Sequence, residues 1–438
     1  MSIIKTLLQP IPLPPVVRVW QKFDDSRIEN IGEQVRRELH KPNVLERIRP
    51  GQRVAVAVGS RGINRIDAIV RSALDALRSA GAEPFIIPCM GSHGGATAEG
   101  QTEILRQLGI TEASMGAPIV SSMDVVQIAS LDNGLPVYAD RHATTADAVI
   151  VINRIKPHTA FRGPYESGVL KMIAVGLGKQ KGAESIHQLG FKHMAETVPL
   201  VAKVVMDKLP VRFGIAIVEN AYDQTCLIEA LPVERIAERE KELLEEAKRR
   251  MPRILFDSFD VLVVDYIGKN ISGDGMDPNV TGRFPTKYAY GGPEVTKIVA
   301  LDLTPESKGN AAGIGLSDFT TKRMVDKMNP DATYANGLTS TVCLPCNIST
   351  TLENDLLAIK AAVKTCNILD YRQCRLVRIK NTLHLGEIEI SASMLAEAAR
   401  LPNIEVLTAP YEWSFDGQGN LMPGNESMEA GRWKNGKS

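Results

Sequence analysis

Net charge is the first thing this chain lacks: 51 lysines and arginines balance 51 aspartates and glutamates over 438 residues, so no overall field draws it to nucleic acid or to an acidic membrane surface. No nucleic acid and no membrane is expected as a partner, and a small, locally captured substrate fits better. Cysteine is scarce as well. Cys89, Cys226, Cys343, Cys346, Cys366 and Cys374 are few for this length, and no charged segment followed by an apolar one opens the sequence, so cytoplasmic residence is expected. Long apolar runs are missing too. The stretch Ile254 to Val264 is interrupted by aspartates and falls short of the roughly 20 residues needed to cross a bilayer.

What is present suits two cores, since the chain exceeds the size at which one core keeps growing. Residues 10–16 are rich in proline and read as an extended surface arm. Arg53 to Val58 and Pro84 to Pro88 read as strands around the helical pattern Ile66 to Ala80, a β-α-β unit of a parallel sheet. Thr97 to Leu108 reads as a helix, and Ala148 to Ile152 and Phe213 to Val218 as buried strands. Val233 to Met251 reads as a charged, solvated helix bridging two domains. A second series follows: strands 259–264 and 296–301, helices 318–328 and 354–366, strand 375–380 and helix 391–400. The expected class is α/β, two α/β domains with a cleft between them, the first with a mostly parallel sheet. Boundaries are drawn at 1–255 for a cofactor-binding domain, 256–405 for a substrate-closing domain, and 406–438 for a loosely packed tail that returns to the first domain.

The chemistry concentrates in three short segments. His93 lies in Gly91-Ser-His-Gly-Gly95, just past a strand, where glycines let the backbone turn and a ligand approach closely. His158 follows another strand in Lys156-Pro-His, so proline delivers the imidazole on a stiff tether. Two imidazoles at strand ends can act as an acid/base pair, at the carboxyl edge where open parallel sheets place ligands. Lys171, in Gly168-Val-Leu-Lys-Met-Ile-Ala-Val-Gly176, sits in an apolar setting that would lower its pKa and make it nucleophilic, unless it snorkels to the surface. The glycines and lysines of Gly176-Leu-Gly-Lys-Gln-Lys-Gly182 precede a helix whose first amides could hold a phosphate, although the spacing matches neither a Walker A loop nor the dinucleotide fingerprint. His187 and His193 are too far out of phase to share a metal on one helix face, and Cys343-Leu-Pro-Cys346 lacks the second pair a zinc site needs.

The order Gly-Ser-His93, Pro157-His158, Gly168-Val-Leu-Lys171 and Glu184-Ser-Ile-His187 resembles the nickel-dependent lactate racemase superfamily of 2-hydroxyacid racemases and epimerases. The likeness runs over roughly residues 50–200 and is weaker beyond. It implies that Lys171 covalently tethers a nickel-pincer nucleotide, a pyridinium mononucleotide whose two sulfurs and ring carbon bind nickel, with Gly176 and Gly178 beside it. It further implies that His187 supplies the remaining nickel ligand, and that His93 and His158 remove and restore the substrate's hydroxyl proton while hydride passes to the cofactor and back. Loading would depend on cofactor biosynthesis enzymes. Arg61 matches the family's carboxylate-binding arginine, and Lys269 its second-domain lysine. The family's aspartate three residues before that arginine is replaced by Val58, so either Ser60 covers part of its role or the substrate contacts differ. The polar segment 266–283 suits a larger or more polar substrate, such as a sugar acid or a dicarboxylate. From the residues alone, two other readings stand: a metal-free isomerase or dehydratase using Lys171 as a Schiff base, and a non-catalytic nucleotide- or metal-binding protein.

Overall fold

Arg53–Val58 and Glu83–Pro88 are adjacent parallel strands joined by the helix Ile66–Ser79, whose Ile66, Ile69, Val70, Ala73, Leu74 and Leu77 recur at three- and four-residue spacing and bury one stripe against the sheet. Gly81, at a φ of 81° that few other residues tolerate, turns the chain from helix to strand. The computed structural model describes residues 2–60 and 62–422. Its chain falls into two compact units, Asp24 to Met251 and a second made of the segment up to Phe23 with the chain from Pro252 onward.

In the first unit five strands run in the order Glu83–Pro88, Arg53–Val58, Ala148–Arg154, Val211–Glu219 and Thr225–Pro232. The first four are parallel and the last is antiparallel to its neighbour. Their near-continuous Val, Ile and Ala runs are fully buried, as strands covered on both faces require. The expected α/β class with a mostly parallel first sheet is borne out. Val58, at the end of its strand, is completely buried in this core. The position where the family pattern has a carboxylate is therefore a packing position here.

The second unit carries an eight-stranded sheet in the order Thr350–Leu352, Phe319–Thr321, Glu294–Leu303, Ser258–Ile267, Leu376–Ile379, Glu387–Ser391, Val16–Gln21 and Ile404–Val406. Several expectations are corrected here. The proline-rich segment is no surface arm: Leu8, Ile11, Leu13 and Val16 are buried in this unit's core, and Val16–Gln21 pairs with Glu387–Ser391 and Ile404–Val406. The boundary read at residue 1 thus moves, because a strand's partners are set by long-range pairing that local pattern does not reveal. The tail, up to Met422, is not loose either. Tyr411 bridges Val16, its hydroxyl donates to Glu389 at 2.7 Å, and Trp413 Nε1 donates to Pro14 O at 2.8 Å. The rest of the tail lies outside the described residues. The helix expected at 318–328 is instead the strand Phe319–Thr321 followed by a short helix, Lys322–Asp326, and that at 391–400 shrinks to a 3-10 turn and the helix Leu395–Ala398. Among the described residues no helix is long and apolar enough to cross a membrane.

Candidate active site

Three neighbouring parallel strands deliver their ends to one edge of the first sheet. After Val58 comes Ser60, after Pro88 the loop to His93, and after Arg154 the turn to His158. Gly91, at φ 59°, turns the first loop, and its N–H donates to Gly176 O at 3.4 Å, tying the loop to the segment that carries Lys171. Gln101 Nε2 donates to the carbonyls of Gly91 (2.9 Å) and His93 (3.3 Å), which fixes the backbone on which the exposed imidazole stands. The ring's Nδ1 meets Ser60 Oγ. Ser60 thus holds the histidine, a role no local signal announced.

His158 is held more rigidly. Its N–H donates to the buried carboxylate of Glu166 at 2.7 Å, its carbonyl accepts from Arg162 Nη1 at 2.6 Å, and Arg162 pairs with Glu166 at 3.2 Å. The ring packs 4.5 Å from the Phe161 ring. Its Nδ1 accepts from Ala160 N–H at 3.0 Å, and its Nε2 meets Lys171 Nζ. Burial first, then the Lys171 amine, His187, Lys156 and Arg162, hold this imidazole well below its ordinary pKa.

Lys171 ends the short helix Val169–Lys171, which continues as a π turn, Met172–Gly176, before the helix Lys179–His187. On one straight helix, side chains sixteen positions apart would be separated by roughly 24 Å along the axis. They are not. Past the π turn Lys179 adopts φ 55°, a left-handed conformation that breaks the helix, and Phe191 lies 5.5 Å from the His187 ring and 6.0 Å from the His158 ring. Lys171, His158 and His187 are thereby gathered around Phe161 and Phe191, with the His93 loop tied to the same helix.

Gly176 and Gly178, expected beside a cofactor, are sites of close packing. A Cβ at Gly176 would lie 2.7 Å from Cys89 Sγ and 3.0 Å from its carbonyl, and one at Gly178 would lie 2.9 Å from the Gly182 backbone. Packing therefore accounts for both glycines. The phosphate reading of this segment loses one of its two lysines as well, because Lys179 is completely buried and its Nζ pairs with Asp140 at 3.0 Å while also meeting Pro88 O. Asp140 in turn accepts from the N–H groups of His142 (2.7 Å) and Ala143 (3.0 Å). The pair joins the end of one sheet strand to the helix that carries His187.

Beneath Lys171 lies a second buried group that the sequence reading passed over. Glu240, on the helix Val233–Arg250, is 1% exposed and accepts from Leu170 N–H at 3.0 Å. Gly168 is required there, since a Cβ would approach the carboxyl carbon to 2.5 Å. Asn153 Nδ2 also donates to Gly168 O at 2.8 Å, fixing the start of the Lys171 helix to the strand that leads to His158. Burial raises the Glu240 carboxyl from 4.5 to about 7, against the lowering effect of the Leu170 and Val169 amides. A raised carboxyl means that the folded chain holds the proton more tightly, so between these two values stability falls as pH rises and is then flat. Glu240→Gln is expected to abolish that fall, on the order of 3 kcal/mol by pH 8. Urea midpoints of parent and variant that run parallel from pH 4.5 to 8 would contradict it.

Of the remaining candidates, Arg61 lies outside the described residues. The loop around it is anchored at Asn64, whose N–H donates to Glu219 Oε1 at 2.6 Å, with Arg154 paired to the other oxygen. Lys269 belongs to the second unit, where its ammonium donates to Asn336 Oδ1 at 2.7 Å and to Gly273 O. Cys343 is exposed, Cys346 is buried with its thiol on Thr333 O, and neither is in a disulfide.

A parallel α/β sheet whose carboxyl edge gathers an amine and three imidazoles defines an enzyme-like site of small-molecule type. Residues 10–198 match the family described as the lactate racemase N-terminal domain, in line with the resemblance read from the sequence. A solved structure, the lactate racemase apoprotein from Thermoanaerobacterium thermosaccharolyticum, is similar with a TM-score of 0.55 and 14% identity, covering 84% of this chain and 98% of that one. At that identity the likeness speaks for the fold. No curated protein matches.

Proposed function

We propose that this protein is a racemase or epimerase that inverts the α-carbon of a 2-hydroxy acid, using a nickel-pincer nucleotide tethered to Lys171 with nickel ligated by His187. The observation that carries the reading is the meeting of Lys171 with His158, whose ring shares Phe191 with His187, inside a segment that matches the lactate racemase domain. The donor set fits such a group. Among the described residues no three His, Cys, Asp or Glu side chains gather to hold a metal by themselves, so a metal beside His187 would draw its other donors from a bound group, and soft sulfur donors with imidazole suit nickel.

When bound, that group would supply the two-electron acceptance and return at the α-carbon. The chain's own residues do the rest. Lys171 anchors the group and His187 completes its ligation, while Glu240 and Asn153 fix the helix start that sets the amine's position. His93, backed by Ser60, and His158, held by Glu166 and Arg162, serve the substrate hydroxyl and its proton. Arg61 and Lys269 are assigned to the carboxylate and the remainder of the substrate, with the 266–283 segment setting its size. A dicarboxylate or sugar acid suits that polar segment better than lactate. Activity requires the enzymes that make the nucleotide, and residence with them in the cytoplasm follows from this reading.

The test is stereochemical. Protein produced with the cofactor's biosynthetic enzymes is given single enantiomers of lactate, malate and a C2-defined sugar acid, and the inverted isomer is sought by chiral chromatography. Inversion of at least one, with no net 2-keto acid, is expected. Net oxidation, or trapping of a Lys171 adduct by borohydride with a keto acid, would replace this reading with a dehydrogenase or a Schiff-base enzyme.

A further inference from the structure

Cys343 and Cys346 flank one turn of 3-10 helix, Leu344–Cys346, in the second unit, and the proposed reaction makes no use of them. The Cys346 N–H donates to Cys343 O at 2.9 Å. A turn closed in this way holds its end Cα atoms within about 7 Å, the span beyond which a disulfide cannot form, and Pro345 stiffens it by fixing φ. The two thiols are placed differently. Cys343 is exposed, whereas Cys346 is buried and its thiol donates to Thr333 O at 3.2 Å. Burial raises the Cys346 thiol above its ordinary pKa, against the lowering effect of the Gly337 amide. An exposed sulfur can meet a reagent, and a buried one three residues on can then displace that reagent.

The turn also reaches the polar segment 266–283 by two routes. On one side it packs on the helix Pro330–Ser340, where a Cβ at Gly337 would lie 2.9 Å from Cys346 Sγ and the adjacent Asn336 accepts from the Lys269 ammonium at 2.7 Å. On the other side Gly313 N–H donates to Pro345 O at 2.7 Å, and Gly313 lies against Asp274 O so closely that no Cβ fits. Lys269 and Asp274 both act electrostatically on the Cys346 thiol, which places them in its neighbourhood.

We propose that Cys343 and Cys346 are a redox-active dithiol, closed to an intramolecular disulfide by a low-molecular-weight disulfide, and that closure loosens the segment carrying Lys269. The Cys343 thiolate attacks one sulfur of the reagent, forming a mixed disulfide and expelling one thiolate. The Cys346 thiol then attacks Cys343 Sγ and expels the second. Two protein thiols are oxidised, the reagent disulfide is reduced to two thiols, and the protein's two protons leave on them. To reach Cys343, the Cys346 sulfur leaves Thr333 O and its seat on Gly337. The helix loses the packing that sets Asn336, and Lys269 loses the position of that acceptor. Only the consequence for substrate rests on the racemase reading: with Lys269 assigned to the substrate, closure raises KM.

The experiment uses the full chain without any added group. It is incubated with graded ratios of reduced and oxidised glutathione, quenched by alkylation and mapped by peptide mass, with hydrogen–deuterium exchange followed on parallel samples. Expected is a disulfide joining Cys343 to Cys346 while the buried Cys89, Cys366 and Cys374 stay reduced. Amide exchange in 268–282 and 330–340 then rises about fivefold or more, and exchange in the strand Ser258–Ile267 is unchanged. Cys346→Ser should stop at a glutathione adduct on Cys343. Cys343→Ser, a change at an exposed position that leaves the fold intact, should form neither adduct nor disulfide at this turn and should keep the slow exchange under oxidation. A parent chain that forms no disulfide here, or that holds glutathione on Cys343 without closing the ring, overturns the dithiol. A disulfide that forms with exchange in 268–282 unaltered overturns its link to Lys269. No cofactor or turnover enters the measurement, so either failure leaves the racemase reading to its own stereochemical test.

Discussion

Lys179→Met should lower the urea midpoint of the unit Asp24 to Met251 by the equivalent of about 3–5 kcal/mol, among the largest effects of any single change outside the core. The reason lies in what remains. Lys179 and Asp140 are both completely buried, and their 3.0 Å ion pair is the condition on which either charge is tolerated there. Removing the ammonium leaves a buried carboxylate whose Oδ1 still caps a helix turn through His142 and Ala143 but whose Oδ2 has no hydrogen-bond partner among the described residues. Pro88 O loses its donor as well. The double variant Lys179→Met with Asp140→Asn should recover part of the loss, since two apolar or neutral groups in place of a buried pair cost far less than one orphaned charge. A midpoint that shifts by less than the equivalent of about 1 kcal/mol in the single variant would mean that the ion pair is not formed in solution.

His187→Ala and His93→Ala should separate metal retention from turnover. In the proposed site His187 is the chain's only nickel ligand, so its loss is expected to reduce co-purifying nickel to background. Activity goes with it. His93 stands on a different loop, tied to the site through Gly91 and Gly176 but bound to Ser60, and its removal should leave nickel and the covalent group in place while lowering kcat by about 10²–10⁴, the range for loss of a positioned general base. Ser60→Ala should lie between, because the imidazole remains but its orientation is less restricted. Metal analysis and single-enantiomer assays on the same preparations decide this. Loss of nickel from both histidine variants alike would mean that the assignment of roles is wrong.

Much of the site was legible because each of its reactive side chains is out of place by ordinary rules. His93 among glycines, His158 behind a proline and Lys171 in an apolar run each sit where a structural residue would have no need of its chemistry, and the two histidines each follow a strand whose end the sequence marks. The supporting groups were harder to see, for a physical reason. The Lys179–Asp140 pair joins residues 39 positions apart, and no local pattern distinguishes a lysine destined for burial from one destined for solvent. Glu240 did leave a signal. It falls four residues after Ile236 and three before Leu243, on the apolar stripe of an otherwise charged helix, so helical phase would have placed it on the buried face had it been weighed. The domain boundary was misplaced because Val16–Gln21 is completed by strands almost four hundred residues away. Short strands at sheet edges, such as Phe319–Thr321, are too brief for periodicity to separate from helix.

The account depends on Lys171 carrying a covalent group and His187 holding the metal within it. The most direct measurement is the intact mass and nickel content of the protein made alongside the nucleotide's biosynthetic enzymes, compared with Lys171→Ala made the same way. The account predicts one added nucleotide-sized mass and close to one nickel per parent chain, localised by peptide mapping to the peptide containing Lys171, and neither in the variant. An adduct that persists in Lys171→Ala, or a parent chain that binds nickel without any added mass, would contradict it.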